Sequence, residues 1–130
     1  MSTLSASLLV MAGSAVGDLG RYWLARLLDD RLLQPLGQFP IGTITVNVVG
    51  SLLITCIGAA WARERPWLQL LVLVGVMGGF TTFSSFSHQV LALVRSERIG
   101  IACSYIALSL VVGVLAAAAG SWVGRALGAR

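Results

Sequence analysis

Residues 78–87 read GGFTTFSSFS and lie inside a run, residues 67–94, that is otherwise apolar enough to cross a bilayer. Adjacent glycines weaken a helix, and hydrocarbon does not tolerate unpaired backbone polar groups. Irregular backbone at that depth persists only where protein surrounds it or where it lines a wet cavity. Gly75, Gly78 and Gly79 therefore invite a helix break. A break frees carbonyl oxygens of the kind that coordinate Na⁺-like ions in transport proteins. Close helix packing through small residues accounts for the same glycines without an ion, and this stretch alone leaves both readings open.

The rest of the chain supplies the membrane context. Of its 130 residues 57% are hydrophobic and 11% charged, with a mean hydropathy of +0.89. A soluble domain carries about 25% charged residues, so composition places the chain among integral membrane proteins. A spanning helix needs about 20 apolar residues, and four runs qualify, at residues 4–28, 41–61, 67–94 and 99–123. The stretch DDRLLQPLGQFP, with Pro35, Gly37 and Pro40 as breakers, reads as the first connection. ARERP and RSER read as tight polar turns. No internal repeat or linker divides the sequence, so residues 1–130 read as one all-α domain of four transmembrane helices, with a break in the third.

The net charge is +4, carried by nine arginines and no lysine. These arginines fall at segment ends, which points to lipid headgroups rather than nucleic acid. Tyr22 and Trp23 suit the headgroup belt. Cys56 and Cys103 lie in apolar runs and read as small buried hydrophobes, and no Cys/His cluster suggests a transition-metal site. The first residues, MSTLSASLLV, have no basic residue before the apolar run and read as the start of a retained helix rather than a signal peptide.

Four spans put both ends of the chain on one side. Arg63, Arg65, Arg125 and Arg130 fall on that side, against Arg21, Arg26, Arg31, Arg95 and Arg98 on the other. Orientation follows from arginine imbalance between the two sides, and four against five is almost none. Either the chain inserts both ways round and pairs as an antiparallel dimer, or another signal overrides a weak bias.

Hydroxyl, amide and aromatic groups line the apolar spans. Thr43, Asn47, Ser51 and Thr55 recur every four residues, as one stripe on the second helix. Tyr105 and Ser109 repeat that spacing on the fourth. Thr81, Thr82, Ser84, Ser85 and Ser87 add hydroxyls on the third, and Phe80, Phe83 and Phe86 share a face there if the chain is helical throughout. The Asn47 amide brings two N–H donors. Aromatic rings are positive at their edges, so ring edges can meet an anion. Interhelical hydrogen bonding and ordinary packing account for the same residues separately. Acidic relays, the mark of proton-coupled pumps, are absent from the second to fourth spans. Asp18 is the one intramembrane acid, and His88 reads as interfacial. Neutral donors, aromatic edges and Arg21 together suit the passive movement of a small anion, which must exchange its water for protein donors.

The runs GSAVGDLGR in the first span, GTITVNVVGS in the second and GGFTTFSSFS in the third together resemble the Fluc family of small fluoride channels, over nearly the whole chain. The resemblance implies an antiparallel, dual-topology homodimer in a bacterial inner membrane, with two narrow fluoride pores and no enzymatic activity. It implies a structural Na⁺ at the dimer centre, held by the backbone carbonyls of Gly78 and Thr81. It maps the pore phenylalanines to Phe83 and Phe86, leaving Phe80 to packing. The pore asparagine maps to Asn47, the first-span arginine to Arg21, and the fourth-span pore residues to Tyr105 and Ser109. Two positions depart from the family pattern: Gly113 stands for a further pore serine one turn after Ser109, and Gln89 for a frequent glutamate. Two rivals remain at this stage. A small multidrug exporter needs an acid deep in the first span, and Asp18 lies near its end beside Arg21. A non-transporting scaffold explains the small residues but not the phenylalanines beside the polar stripe.

Overall fold

The computed structural model describes residues 1–36, 39–62 and 65–128, and among them every regular element is helical. Helix α1 is Thr3–Leu36 and α2 is Ile41–Ile57, continued by a wider π-helical turn, Gly58–Ala62. The third span is composite. It opens with α3 (Pro66–Leu68), runs as a π-helix over Gln69–Met77, closes with α4 (Gly78–Phe80), and restarts as α5 (Phe83–Arg95). Helix α6 is Ile99–Gly128. Four stretches, Thr3–Arg31, Ile41–Trp61, Pro66–Arg95 and Ile99–Gly128, are long and apolar enough to cross a membrane.

The apolar runs locate these helices but not their ends. Helix α1 continues to Leu36, through residues that the polar composition assigns to a connection. At about 1.5 Å per residue, its 34 residues reach about 51 Å, well beyond a hydrocarbon core of about 30 Å. Arg26 contacts Asp30 at 3.6 Å, one turn on, and donates to the Tyr22 hydroxyl at 2.8 Å. The change to polar residues thus marks where the helix leaves the lipid, while the helix itself goes on. Helix α6 likewise continues past residue 123 to Gly128. Gly37, Arg63 and Arg130 lie outside the described residues.

The helices associate as two parallel pairs, α1 along the third span and α2 along α6. Both pairs approach so closely that glycine is required at the contact. A Cβ on Gly17 would overlap the Val76 carbonyl oxygen, and one on Gly120 would overlap the Leu52 carbonyl oxygen and the Thr55 hydroxyl. With lipid outside, little of the chain is buried. Val46, Met77, Leu93, Ala102, Tyr105 and Thr43 form the interior, while Leu110, Val111, Val114, Leu115 and Trp122 of α6 face outward.

The third span is broken, but two residues later than its glycines suggest. Gly78 has helical angles, φ −64° and ψ −38°. The chain becomes extended at Thr81 (φ −85°, ψ 152°) and Thr82 (φ −147°, ψ 116°). Gly75 and Gly79 serve contact with α1 instead. A Cβ on Gly75 would lie 2.9 Å from the Gly13 Cα, and one on Gly79 would lie 2.7 Å from the Ser14 carbonyl oxygen. Phe80 therefore does not continue the face of Phe83 and Phe86. It lies between Gly20 of α1 and Gly50 of α2.

Candidate functional site: a bridged helix break beside an aromatic ladder

Two β-branched threonines, favouring extended backbone, interrupt the third span, and the freed backbone groups find partners across the bundle. Asn47 of α2 meets Thr82 twice: Thr82 N–H donates to Asn47 Oδ1 at 2.8 Å, and Asn47 Nδ2 donates to the Thr82 carbonyl at 3.1 Å. The side-chain amide thereby acts as a splint, matching donor to acceptor as a second peptide strand would. Thr82 also caps α5, its Oγ1 accepting from Ser85 N–H at 3.1 Å. The same oxygen lies 3.2 Å from Ser84 Oγ and donates to Ser85 Oγ at 3.1 Å. Ahead of the break, Thr81 N–H and Oγ1 both donate to the Met77 carbonyl.

The break takes the helical donor from the Gly78, Gly79, Phe80 and Thr81 carbonyls, and Arg21 satisfies Gly79. In a continuous helix, Thr82 N–H would close on Gly78 O and Ser85 N–H on Thr81 O. Here those donors go to Asn47 and to the Thr82 hydroxyl. Gly78 and Thr81 open onto a concavity that Ser14, Asp18, Arg21 and Ser84 also line, and nothing beyond its own helix backbone lies within 4 Å of where a Gly78 Cβ would be. Hard-cation chemistry needs such neutral oxygens. Among the described residues no three His, Cys, Asp or Glu side chains gather as an alternative metal site.

Arg21 lines this concavity too. Its Nε donates to the Gly79 carbonyl at 3.2 Å, while Nη2 pairs with Asp18 Oδ1 at 2.8 Å. It ties α1 to the last turn before the break. A cavity of about 380 Å³ is lined by Arg21, Arg26, Asp29, Asp30, Thr82 and Gln89, among others. A second, of about 280 Å³, is lined by Asn47, Ser51, Ile54, Thr81, Thr82 and Phe83. Thr82, at the bridged break, lines both of these cavities and the concavity at Gly78.

An aromatic ladder leads inward from Phe83, which is 79% exposed. The Phe83 and Phe86 centroids are 5.7 Å apart, and Phe86 lies 5.1 Å from Tyr105. Tyr105 is fully buried, meets Phe39 edge-on at 5.7 Å, and donates its hydroxyl to Gln89 Oε1 at 2.8 Å. Phe39 and the Gln89 contact add to the sequence-predicted set. Neither has a local signal, because both partners are distant in the chain.

The hydroxyls of the polar stripe divide in two. Ser51 donates to the Asn47 carbonyl at 2.7 Å and Thr55 to the Ser51 carbonyl at 2.9 Å. These back-bonds to the preceding turn occupy their protons and leave them acceptors. Ser109 is different, since its buried Oγ has no hydrogen-bond partner. Buried polar groups are nearly always paired, so an orphan hydroxyl here suits a visiting ion or water. On α6 it lies between Tyr105 and Gly113, and Gly113 faces Ser51, its Cβ position 4.0 Å from Ser51 Oγ. There is room for the missing serine. Gly113→Ser is expected to fold with a melting temperature at or above the parent's, since serine favours a helix over glycine by a few tenths of a kcal/mol. Thermal unfolding followed by size-exclusion chromatography checks this, and aggregation of the variant would refute it.

The same residues coincide with a known family. Residues 8–121 match the family described as CrcB-like protein, Camphor Resistance (CrcB). The chain belongs to the CrcB-like family. It is 42% identical over 122 residues to a protein of Agrobacterium fabrum named Fluoride-specific ion channel FluC, covering 92% of this chain and 95% of that one. A protein of the same name from Anaeromyxobacter dehalogenans is 44% identical over 115 residues, covering 85% and 87%. A third, from Methylobacillus flagellatus, is 38% identical over 111 residues, covering 83% and 85%. With four helices able to span a bilayer, this CrcB-like chain is a multi-pass membrane protein.

Proposed function

We propose that this chain is a fluoride-selective channel of a bacterial inner membrane, passing F⁻ passively down its electrochemical gradient and so conferring fluoride resistance. The observation that carries the reading is the likeness, over most of the chain, to relatives named fluoride-specific ion channels. The site supports it. Fluoride reaches a cell as neutral HF and dissociates inside. A potential of 100 mV is worth about 2.3 kcal/mol for each charge that leaves, so neither a proton relay nor ATP is required. Asp18 is paired with Arg21 and half exposed, which does not favour the exporter reading.

In this mechanism Arg21 draws anions or holds the fold, and its bond to the Gly79 carbonyl and its pairing with Asp18 favour the second role. The orphan Ser109 hydroxyl and the Asn47 N–H not engaged with Thr82 replace lost water, with Thr82, Ser84 and Tyr105 lining the path. The edges of Phe83 and Phe86 hold the dehydrated ion midway. A single copy leaves Phe83 exposed, and Gly78 and Thr81 alone are too few ligands to enclose a cation. Both features favour a homodimer, and the even arginine count favours an antiparallel one. The Gly78 and Thr81 carbonyls of two copies would hold a central Na⁺, which when bound supplies positive charge beside the pores and joins the copies.

The test is fluoride efflux from liposomes carrying the purified protein, with valinomycin clamping the potential and chloride as control. Fast fluoride loss with negligible chloride loss is expected. Absence of fluoride loss from a verified dimer would refute the channel reading and favour a scaffold.

A further inference from the structure

We infer that Asp29 is a positioning residue for the permeation path, a cap supplied by α1 to the first turn of α2; the inference rests on the channel reading above. The first turn of a helix has N–H groups with no partner in the helix. Helix α2 begins after Pro40, whose side chain forms no capping bond. Asp29, half-buried and 13 residues upstream, takes that place, its Oδ1 accepting from Gly42 N–H at 2.9 Å. A carboxylate is also favoured at the positive end of a helix dipole.

The contact at Gly42 is steric as well as polar. A Cβ there would lie 2.6 Å from the Ala25 carbonyl oxygen and 2.7 Å from Asp29 Oδ1. One bond and one close approach at the same residue therefore hold the start of α2 against α1, in rotation and in height. The residues that follow are pore candidates: Thr43 is next in the chain, and Asn47 lies five residues on, paired with Thr82. A helix turns about 100° per residue, so a slip of one residue would carry Asn47 off the break. Asp29 also lines the cavity with Arg21, Arg26 and Gln89. Its role is exerted through Asn47.

The test is unitary fluoride current in planar bilayers, using the full-length protein. Asp29→Ala is expected to lower the current of each channel by at least about tenfold. Asp29→Asn, whose amide oxygen still accepts from Gly42 N–H, is expected to stay within about twofold of the parent. A cap that served folding alone would change the number of channels and leave the unitary current untouched. Parent-level current in Asp29→Ala would overturn the inference. So would an equal loss in Asp29→Asn, which would assign the effect to the charge instead of the bond. If Asp29→Ala forms no dimer, Asp29→Ser with its shorter arm takes its place: a reduced unitary current is expected, and a parent-level one overturns the inference. A parent without fluoride current sinks both this inference and the channel reading. A conducting parent with an equally conducting alanine variant sinks this inference alone.

Discussion

Asn47→Leu is expected to abolish measurable fluoride efflux and to destabilise the protein. Leucine has similar bulk but cannot pair with the chain at Thr82, so the N–H and carbonyl now bonded to Asn47 at 2.8 and 3.1 Å lose their partners. A fully buried polar group left unsatisfied costs about 1–3 kcal/mol, an upper bound here because both bonds are part-buried and Thr82 lines cavities that water can enter. Two such groups set a ceiling of about 6 kcal/mol on the loss, against the 5–15 kcal/mol that holds a typical domain together. The extended residues Thr81 and Thr82 would then tend to rewind, withdrawing Gly78 and Thr81 from any cation. Asn47→Asp separates pairing from packing. An ionised aspartate still accepts from Thr82 N–H but sets a second oxygen against the Thr82 carbonyl. Protonation restores a donor there. Efflux through Asn47→Asp, taken above the HF leak of protein-free liposomes at the same pH, is therefore expected to be low at neutral pH and to recover as the pH falls, whereas Asn47→Leu stays at the leak throughout. Efflux at parent level from Asn47→Leu would show that the splint is dispensable.

The four spans are legible in the sequence because apolar runs of this length have few alternatives in a chain with so little charge. What stays hidden lies in contacts between distant residues. Nothing local tells that Asn47 reaches Thr82, 35 residues away, or that Asp29 caps α2 from another helix. The glycines mislead about the break for a related reason. Gly75 and Gly79 look like helix breakers, yet Gly13 and Ser14 of α1 need them as contact surface. The true break falls on Thr81 and Thr82, whose freed groups have Asn47 and the Thr82 hydroxyl to satisfy them. A membrane helix breaks where partners await its backbone, and those partners belong to the tertiary structure. The motifs are legible where chemistry is carried by residue type, as with the phenylalanines and the stripe. Which hydroxyls remain free to donate is not, since Ser51 and Thr55 bond to their own helix while Ser109 does not.

The second large effect is expected at Phe83. Its ring begins a ladder through Phe86 to the buried Tyr105, yet is itself 79% exposed in one copy of the chain. Such a ring is either a lipid or subunit contact or a surface that an ion passes. The two differ in what a side chain there must provide. Packing needs apolar volume, which isoleucine largely keeps. An anion needs the positive ring edge, which isoleucine lacks. If the edge stabilises a dehydrated ion in transit, its removal raises the barrier, and each 1.36 kcal/mol costs about tenfold in rate. Phe83→Ile is accordingly expected to lower efflux at least about a hundredfold, or about 2.7 kcal/mol, while the dimer elutes and melts as the parent does. Phe83→Tyr, which keeps the edge, is expected to retain flux well above the isoleucine variant. Liposome efflux and size-exclusion profiles of the two variants decide the matter. If the isoleucine channel runs within a few-fold of the parent, Phe83 is a packing residue and the ion's aromatic contact must be sought at Phe86, whose ring already rests on Tyr105 at 5.1 Å. If both variants lose flux and dimer together, Phe83 belongs to the subunit interface.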